Sequence, residues 1–282
     1  MCAQQTSPST VDWCEENYVY SMYIAEFWNS LSSFALFYAG LIGYVHHRHL
    51  NGSFVYVILA GVGLGSVLFH GVLSATTQML DEIPMIFLVL QISLNVLNIR
   101  KRSLNILSYL CASVFSGVIC HMAFLDDNTH NHHSHGHGVN HSHNHNHGVN
   151  NSEVKAGVKD GIKRFEFYLF QFTIICSALY IGYKLLCKAL QQQHSKTLFI
   201  QGVTLFLSGW ACWLLDYFCC DTWRSSWINP QFHAWWHILS ALGVYRLSLL
   251  SMTLCNAEWD MRNSFVCPFP TLTSSENQLK SL

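Results

Sequence analysis

Apolar residues occur in seven blocks along the 282-residue chain, each about as long as a membrane-spanning helix. The blocks cover residues 27–45, 54–73, 80–98, 104–124, 165–187, 198–218 and 232–253. About 20 apolar residues in a helix cross the roughly 30 Å hydrocarbon core of a bilayer. The pattern therefore predicts an all-α polytopic membrane protein, a bundle of seven transmembrane helices.

Composition supports a lipid bilayer as the surrounding solvent. Of the residues, 51% are hydrophobic and only 11% are charged, whereas soluble domains contain about 25% charged residues. Buried helices of a soluble bundle are the alternative, which this low charge disfavours. The net charge of −1 and the absence of a basic patch argue against nucleic-acid binding. Residues 1–10 are polar and lack the apolar core of a cleavable signal peptide.

Lysine and arginine are distributed unequally between the two sides that seven spans create. Ten of the fifteen fall on the side of the C-terminal tail and of the loops at 46–53, 99–103 and 188–197. Cytosolic loops are enriched in these residues. We therefore expect a luminal N-terminus and a cytosolic C-terminus. The expected membrane is that of the endoplasmic reticulum or Golgi rather than the plasma membrane, although the sequence contains no readable targeting signal for it. The expected units are a luminal segment 1–26, a membrane domain 27–253 with a luminal insertion at 126–164, and a cytosolic tail 254–282.

Three histidines fall at one depth of this predicted bundle. His70 lies near the luminal end of the second block, and His233 and His237 open the seventh block in the string FHAWWHILS. Residues four apart share one face of a helix. Ionisable groups inside a bilayer are costly and indicate function, and three imidazoles with one open position are typical of catalytic zinc. The alternative for each histidine is an interhelical hydrogen bond.

Three further polar residues fall at the same level. Ser66, four residues before His70, could donate a hydrogen bond to an oxyanion or simply bond its own helix backbone. Asp81, at the start of the third block, could act as general base and then general acid, or face the helix dipole. Asp216, near the luminal end of the sixth block, could support a ligating imidazole.

Four strings resemble the alkaline ceramidase family, which belongs to a wider superfamily of heptahelical membrane hydrolases. They are DWCEENYVYSMYIAEFWNSLSS, SVLFH, QMLDEIPM and QFHAWWHILS. The resemblance implies a seven-helix amidase that uses water to split the N-acyl bond of ceramide, releasing sphingosine and a fatty acid. By position, His70, His233 and His237 would bind zinc, and Ser66 and Asp81 would assist catalysis.

The same resemblance implies a calcium site in the N-terminal segment. The ligands would be the side chains of Asp12, Glu15, Asn17 and Glu26 and the backbone carbonyl of Trp13. Calcium accepts six to eight oxygen ligands with adaptable geometry. On spacing alone, such an acidic segment is more often a solvated surface.

A disulfide between Cys14 and Cys220 is also implied, since both positions match cysteines of the family. The predicted luminal compartment permits disulfides. Cys219 is adjacent to Cys220, so its pairing with Cys14 stays open at this point.

Residues 130–147 contain nine histidines among asparagine, serine and glycine. This composition cannot build a core, so we expect disorder across 126–164. Loose binding of zinc or copper, pH sensing and a tolerated insertion without function are the alternatives. Such loops also occur in zinc transporters, but transport requires metal ligands staged across the full membrane depth. A receptor, the remaining alternative, would need a larger cytosolic surface than these short loops offer.

Overall fold

The computed structural model describes residues 9, 11, 13–98, 102–124, 151–191, 193–224, 229–256, 259–261 and 269–274. Within them it contains seven helices: α1 (Phe27–His47), α2 (Phe54–Val72), α3 (Ala75–Val96), α4 (Arg102–Phe124), α5 (Asn151–Ala189), α6 (Gln193–Arg224) and α7 (Phe232–Cys255). Each predicted block coincides with one of these helices, with at most two residues beyond its C-terminal end, so the expectation of a seven-helix chain is confirmed. The predicted orientation of the termini stays a prediction.

Two short strands follow the helices, in the segment expected to be only a tail. They are β1 (Trp259–Met261) and β2 (Leu272–Ser274), which pair antiparallel. Between them, Phe269 packs against the ring of Tyr245 in α7, and the hydroxyl of Tyr245 donates to the carbonyl of Pro270. Part of the tail therefore contacts the end of the bundle.

Four of the described helical segments are long and apolar enough to cross a membrane, which indicates a membrane protein. They are Phe54–Val72, Ala75–Val96, Tyr168–Ala189 and Ser195–Trp223. Helices α1 and α7 are long enough, but their mean hydropathy is lower than that of these four segments. Both contain several buried polar side chains, which lower the mean hydropathy of the helix.

Helix α1 buries several polar side chains and exposes apolar ones on its outer face. Its exposed apolar side chains recur at intervals of three and four residues: Leu31, Phe34, Tyr38, Leu41 and Val45. Its buried polar side chains are Asn29, Ser30, Ser33 and His47, and the N-cap Glu26 is also buried. This arrangement suits a helix whose outside faces lipid, because apolar side chains there need no partner and polar ones must be paired inside.

Helix α3 begins earlier than the sequence pattern predicts, so the predicted start near Asp81 is wrong. Ser74 caps the helix: its hydroxyl accepts from the Thr77 N–H (3.2 Å), and the Thr77 hydroxyl accepts from the Ser74 N–H (3.1 Å). This reciprocal pair is a capping box. The short polar run before the apolar block is therefore helical, and Asp81 lies in the second turn.

Helix α5 also begins early, at Asn151. The expectation of disorder is wrong for 151–164, whose glutamate, lysine, arginine and alanine residues favour helix. The histidines of 130–147 lie outside the described residues.

The main apolar core joins α1, α2, α3 and α7, with further buried residues from α5 and α6. Tyr56 and Leu59 of α2 and Tyr245 and Leu249 of α7 are fully buried in it. This core holds the central helices α1, α2, α3 and α7 in fixed positions relative to one another.

Candidate metal centre

Three imidazoles converge where the C-terminal end of α2 meets the first two turns of α7. The ring centroids lie 5.0 Å apart for His70 and His233, 4.9 Å for His70 and His237, and 4.7 Å for His233 and His237. One nitrogen from each ring lies within 4.8 Å of the others, and all three side chains are buried. The predicted trio is therefore brought together, and it could hold one metal ion.

The chemistry of the donors fits this interpretation. The Nδ1 atom of His233 is buried and has no hydrogen-bond partner among the described residues. A buried polar atom without a partner is costly. Coordination at this ring would offset that cost, and the three rings together form a neutral, closely spaced donor set.

Glu26 holds the ring of His70. Its Oε2 lies 2.5 Å from Nδ1 of His70, and its side chain has no exposed surface. The same carboxylate accepts from the backbone N–H of Trp13 (3.1 Å) and the side-chain amide of Asn29 (3.0 Å). A carboxylate on one imidazole nitrogen fixes the ring and directs the other nitrogen to a ligand.

Three serines surround the ring of His237. Its Nδ1 lies 2.9 Å from the hydroxyl of Ser32 and 3.2 Å from that of Ser33. Its Nε2 lies 3.5 Å from the hydroxyl of Ser66, which is 3.0 Å from that of Ser33. The structure thus places the predicted Ser66 directly against one of the three imidazoles.

Trp13 and the start of α7 hold the ring of His233. The indole of Trp13 stacks on this imidazole with centroids 3.8 Å apart. Asp216 in α6 accepts from the backbone N–H of His233 (3.3 Å) and of Cys14 (3.1 Å). Asp216 therefore contacts the backbone of the predicted ligand His233. Support of an imidazole ring by the Asp216 carboxylate stays a prediction.

A disulfide joins Cys14 to Cys220 of α6, with Cα atoms 5.2 Å apart. This is the pairing implied by the resemblance, and Cys219 is a free thiol. The bridge fixes the N-terminal segment beside Trp13, so it also contributes to the surroundings of His233.

The backbone of Asp81 lies beside Gly65, the residue before Ser66, because α2 and α3 pack closely there. A Cβ atom at Gly65 would lie 3.0 Å from the Cα of Asp81 and closer still to the Leu80 carbonyl. The missing side chain therefore brings the backbone of α3 against the residue next to Ser66. The Asp81 side chain is half-buried, and its catalytic role stays a prediction.

The residues predicted to bind calcium are in part gathered at the start of α1. The carboxylate of Glu15 accepts from the backbone N–H groups of Trp28 (2.7 Å) and Asn29 (2.9 Å). Burial raises the pKa of Glu15, the neighbouring Glu26 raises it further, and these backbone hydrogen bonds oppose both effects.

The other three predicted calcium ligands differ in their surroundings. Trp13 is buried and Asn17 is exposed, whereas Asp12 lies outside the described residues. The structure therefore brings Glu15, Glu26 and Trp13 together near one helix end, and calcium itself stays a prediction.

The sequence did not predict the contacts of Glu26 with His70 and Asn29, of Ser32 and Ser33 with His237, or of Trp13 with His233. A signal for part of this set exists in the sequence. Glu26, Asn29, Ser30 and Ser33 recur at the spacing of one helix face. Such a polar stripe in an otherwise apolar helix indicates a buried polar site.

Comparison with known proteins identifies the family. The model of the ceramidase family matches residues 5–141 and 157–272. Alkaline ceramidase 3 of Mus musculus is 28% identical over 260 residues, covering 86% of this chain and 83% of that protein. An alkaline ceramidase of Saccharomyces cerevisiae is 30% identical over 256 residues, covering 84% of this chain and 73% of that protein. Because the matched regions contain the histidine trio and nearly all of the bundle, the chain belongs to the ceramidase family.

Proposed function

We propose that this chain is an alkaline ceramidase that hydrolyses the N-acyl amide of ceramide within the membrane, releasing sphingosine and a fatty acid. Zinc would be held by His70, His233 and His237. The observation that supports this most strongly is the convergence of three buried imidazoles, one of them fixed by the buried carboxylate of Glu26. Family membership supplies the substrate class.

The residues around the trio suit the hydrolysis of an amide. A bound zinc ion supplies Lewis acidity, which acidifies water and polarises the amide carbonyl. Asp81 accepts the proton of the attacking water and returns it to the leaving nitrogen as the C–N bond breaks. The hydroxyl of Ser66, beside His237, donates to the oxyanion that forms on the carbonyl oxygen. Glu26 and Ser33 keep two of the imidazoles in place.

The location of the trio suits a lipid substrate. His70 is in the last turn of α2, and His233 is in the first turn of α7. The trio therefore lies near one end of the bundle rather than at its centre. Ceramide has a small neutral head, and its amide lies just beneath the headgroups. We place this end on the luminal side of the endoplasmic reticulum or Golgi membrane, in agreement with the lysine and arginine distribution.

The purified protein provides the main test. Mass spectrometry should detect sphingosine released from ceramide, and elemental analysis should find about one zinc per chain. Removal of the metal with a chelator should abolish turnover, and added zinc should restore it. Metal-free protein with full turnover would contradict the proposal. A transporter would instead move zinc into vesicles without product, and a receptor would do neither.

A structural calcium site formed by Asp12, the carbonyl of Trp13, Glu15, Asn17 and Glu26 is part of the proposal. It is supported by the burial of Glu15 and Glu26 beside one another, because calcium would neutralise two carboxylates placed so closely. Calcium would then brace the start of α1 against the imidazoles.

A matched pair of variants tests the calcium site. Glu15→Gln should lose calcium binding in titration calorimetry and the thermal stabilisation that calcium gives. Glu16→Gln is the control, since Glu16 is adjacent, exposed and not a proposed ligand. Equal calcium binding by both variants would remove Glu15 from the site.

A further inference from the structure

An exposed loop precedes α1, and we refer to residues 18–25 as the aromatic loop. Its most exposed side chains are Tyr18 (52%), Val19 (59%), Tyr20 (59%), Met22 (77%) and Tyr23 (84%). The loop has no aspartate, glutamate, lysine or arginine. A contiguous apolar patch of this kind is uncommon on a surface that faces only water, and it marks an interaction site.

The aromatic loop is fixed to the bundle at its base. The N–H of Tyr18 donates to the carbonyl of Ala25 (2.7 Å) and closes the loop. The N–H of Ala25 then donates to the carbonyl of Gly71 (3.0 Å), and the N–H of Glu26 to that of His70 (2.9 Å). The base of the loop is therefore hydrogen-bonded to His70, a residue of the metal centre, and to the adjacent Gly71.

Backbone and ring contacts also define the loop. Tyr18 has a φ of 61°, a left-handed conformation that is uncommon for an aromatic residue. The ring of Tyr20 packs 5.8 Å from Phe27 and 5.7 Å from Trp28, measured between centroids. The tip residues Met22 and Tyr23 thus project from an ordered base.

The loop continues the outer apolar stripe of α1. That stripe runs from Leu31 to Val45 on the face opposite the buried polar residues, so it faces hydrocarbon in a membrane protein. The partly exposed Trp28 lies between the stripe and the loop. Tyrosine and tryptophan concentrate where hydrocarbon meets headgroups, because each has an apolar ring and a polar atom. The composition of the loop matches that boundary.

We propose that the aromatic loop inserts into the boundary between headgroups and acyl chains and sets the depth of the metal centre in the bilayer. The partner is the lipid surface itself. Because Ala25 and Glu26 bond to Gly71 and His70, the depth of the loop fixes the depth of the trio. The insertion of the loop does not depend on the proposed ceramidase activity. Only its consequence for catalysis rests on that proposed function.

Photolabelling in vesicles tests the insertion directly. The full-length protein is reconstituted in phosphatidylcholine that contains a lipid with a diazirine near its ester carbonyl. Cleavage after glutamate releases residues 17–26 as one peptide, since Glu16 and Glu26 flank the loop. We expect lipid adducts on this peptide. A peptide free of lipid adducts, while apolar helical peptides of the same sample are labelled, would overturn the proposal whether or not the protein is a ceramidase.

A variant pair tests the consequence for catalysis. Met22→Ser with Tyr23→Ser should raise the apparent KM for ceramide in vesicles roughly tenfold, the factor that corresponds to losing the burial of about one such side chain. The kcat and the turnover of a short-chain ceramide in detergent should stay near wild type. Met22→Leu with Tyr23→Trp keeps the apolar, aromatic character and should behave as wild type. An unchanged KM of the serine variant in vesicles would overturn the inference that the loop sets the depth of the metal centre.

Discussion

The two ends of the bundle each bury a histidine, and the two differ in what surrounds them. His47, at the C-terminal end of α1, is fully buried, bonds the carbonyl of Gly43 through Nδ1 and stacks on Tyr56. His70, at the end of α2, is equally buried but bonds Glu26 and lies about 5 Å from two further imidazoles. Burial of an imidazole is therefore common to both ends, and convergence of several imidazoles distinguishes the metal centre.

Other polar side chains show the same contrast. Near the His47 end, Asn95 accepts from the amide of Gln91 and donates to the carbonyl of Gly52 and the hydroxyl of Ser251. These groups satisfy one another and join α3 to α7. At the other end, the hydrogen bonds from Glu26 and the serines hold imidazole rings that each place one nitrogen atom within 4.8 Å of the others. A closed network stabilises helix packing, whereas a converging one can bind a ligand.

The largest effect is expected from His70→Ala compared with His47→Phe. The first removes a proposed zinc ligand and should lower sphingosine release roughly a thousandfold or more, together with the loss of bound metal. The second loses one hydrogen bond, keeps the ring against Tyr56, and should cost about 1 kcal/mol of stability without loss of metal. Turnover and elemental analysis of both proteins provide the measurement. Equal loss of metal in the His70→Ala and His47→Phe proteins would contradict the assignment of the metal centre to the His70 end of the bundle.

A smaller effect is expected from Glu26→Gln, which preserves the shape of the side chain but removes its charge. Loss of such a partner typically weakens metal affinity by about 10–100-fold. Competition with a zinc chelator measures the affinity, and Glu16→Gln is the control. If Glu26→Gln left zinc affinity unchanged and removed only the calcium response, its contact with His70 would be incidental.

The sequence predicts the helices and the trio well because both leave local signals. Blocks of apolar residues mark the helices, and the spacing of His233 and His237 places them on one face. The contact of Glu26 with His70 could not be read in this way. It depends on how α1 packs against α2, and an N-terminal glutamate is equally compatible with calcium binding, which is the role predicted for it.

The sequence pattern also failed to predict where α3 and α5 begin. Apolar block length reports the membrane-crossing part of a helix, whereas a capping box such as that of Ser74, or a run of helix-favouring polar residues, extends it beyond the apolar part. The contact of Ser33 with His237 has no clear signal in the sequence, because a serine in a membrane helix usually bonds its own backbone. Ser33 does so with Asn29, and its hydroxyl also reaches His237.

Ser33→Ala should therefore have a modest effect, centred on His237. Loss of the contact with His237, a neutral hydrogen bond, corresponds to about 1 kcal/mol, or roughly a fivefold fall in kcat. Ser30→Ala is the matched control: Ser30 lies on the same face of α1, but its hydroxyl donates to the carbonyl of Val67 and, among the described residues, makes no hydrogen bond to an imidazole. Similar kcat values for the two variants would show that the serine contact does not position the ring.

The smallest effect is expected from replacing residues 130–147 with a glycine–serine linker of equal length. Nine histidines are removed, three times the number at the metal centre, yet the comparison of His47 with His70 indicates that geometry matters more than number. The variant should retain one tightly bound zinc and normal turnover in zinc-buffered solution, and lose only weakly bound metal in equilibrium dialysis. If it required more free zinc for half-maximal activity, the segment would be supplying metal to the centre, and loose binding rather than a tolerated insertion would describe it.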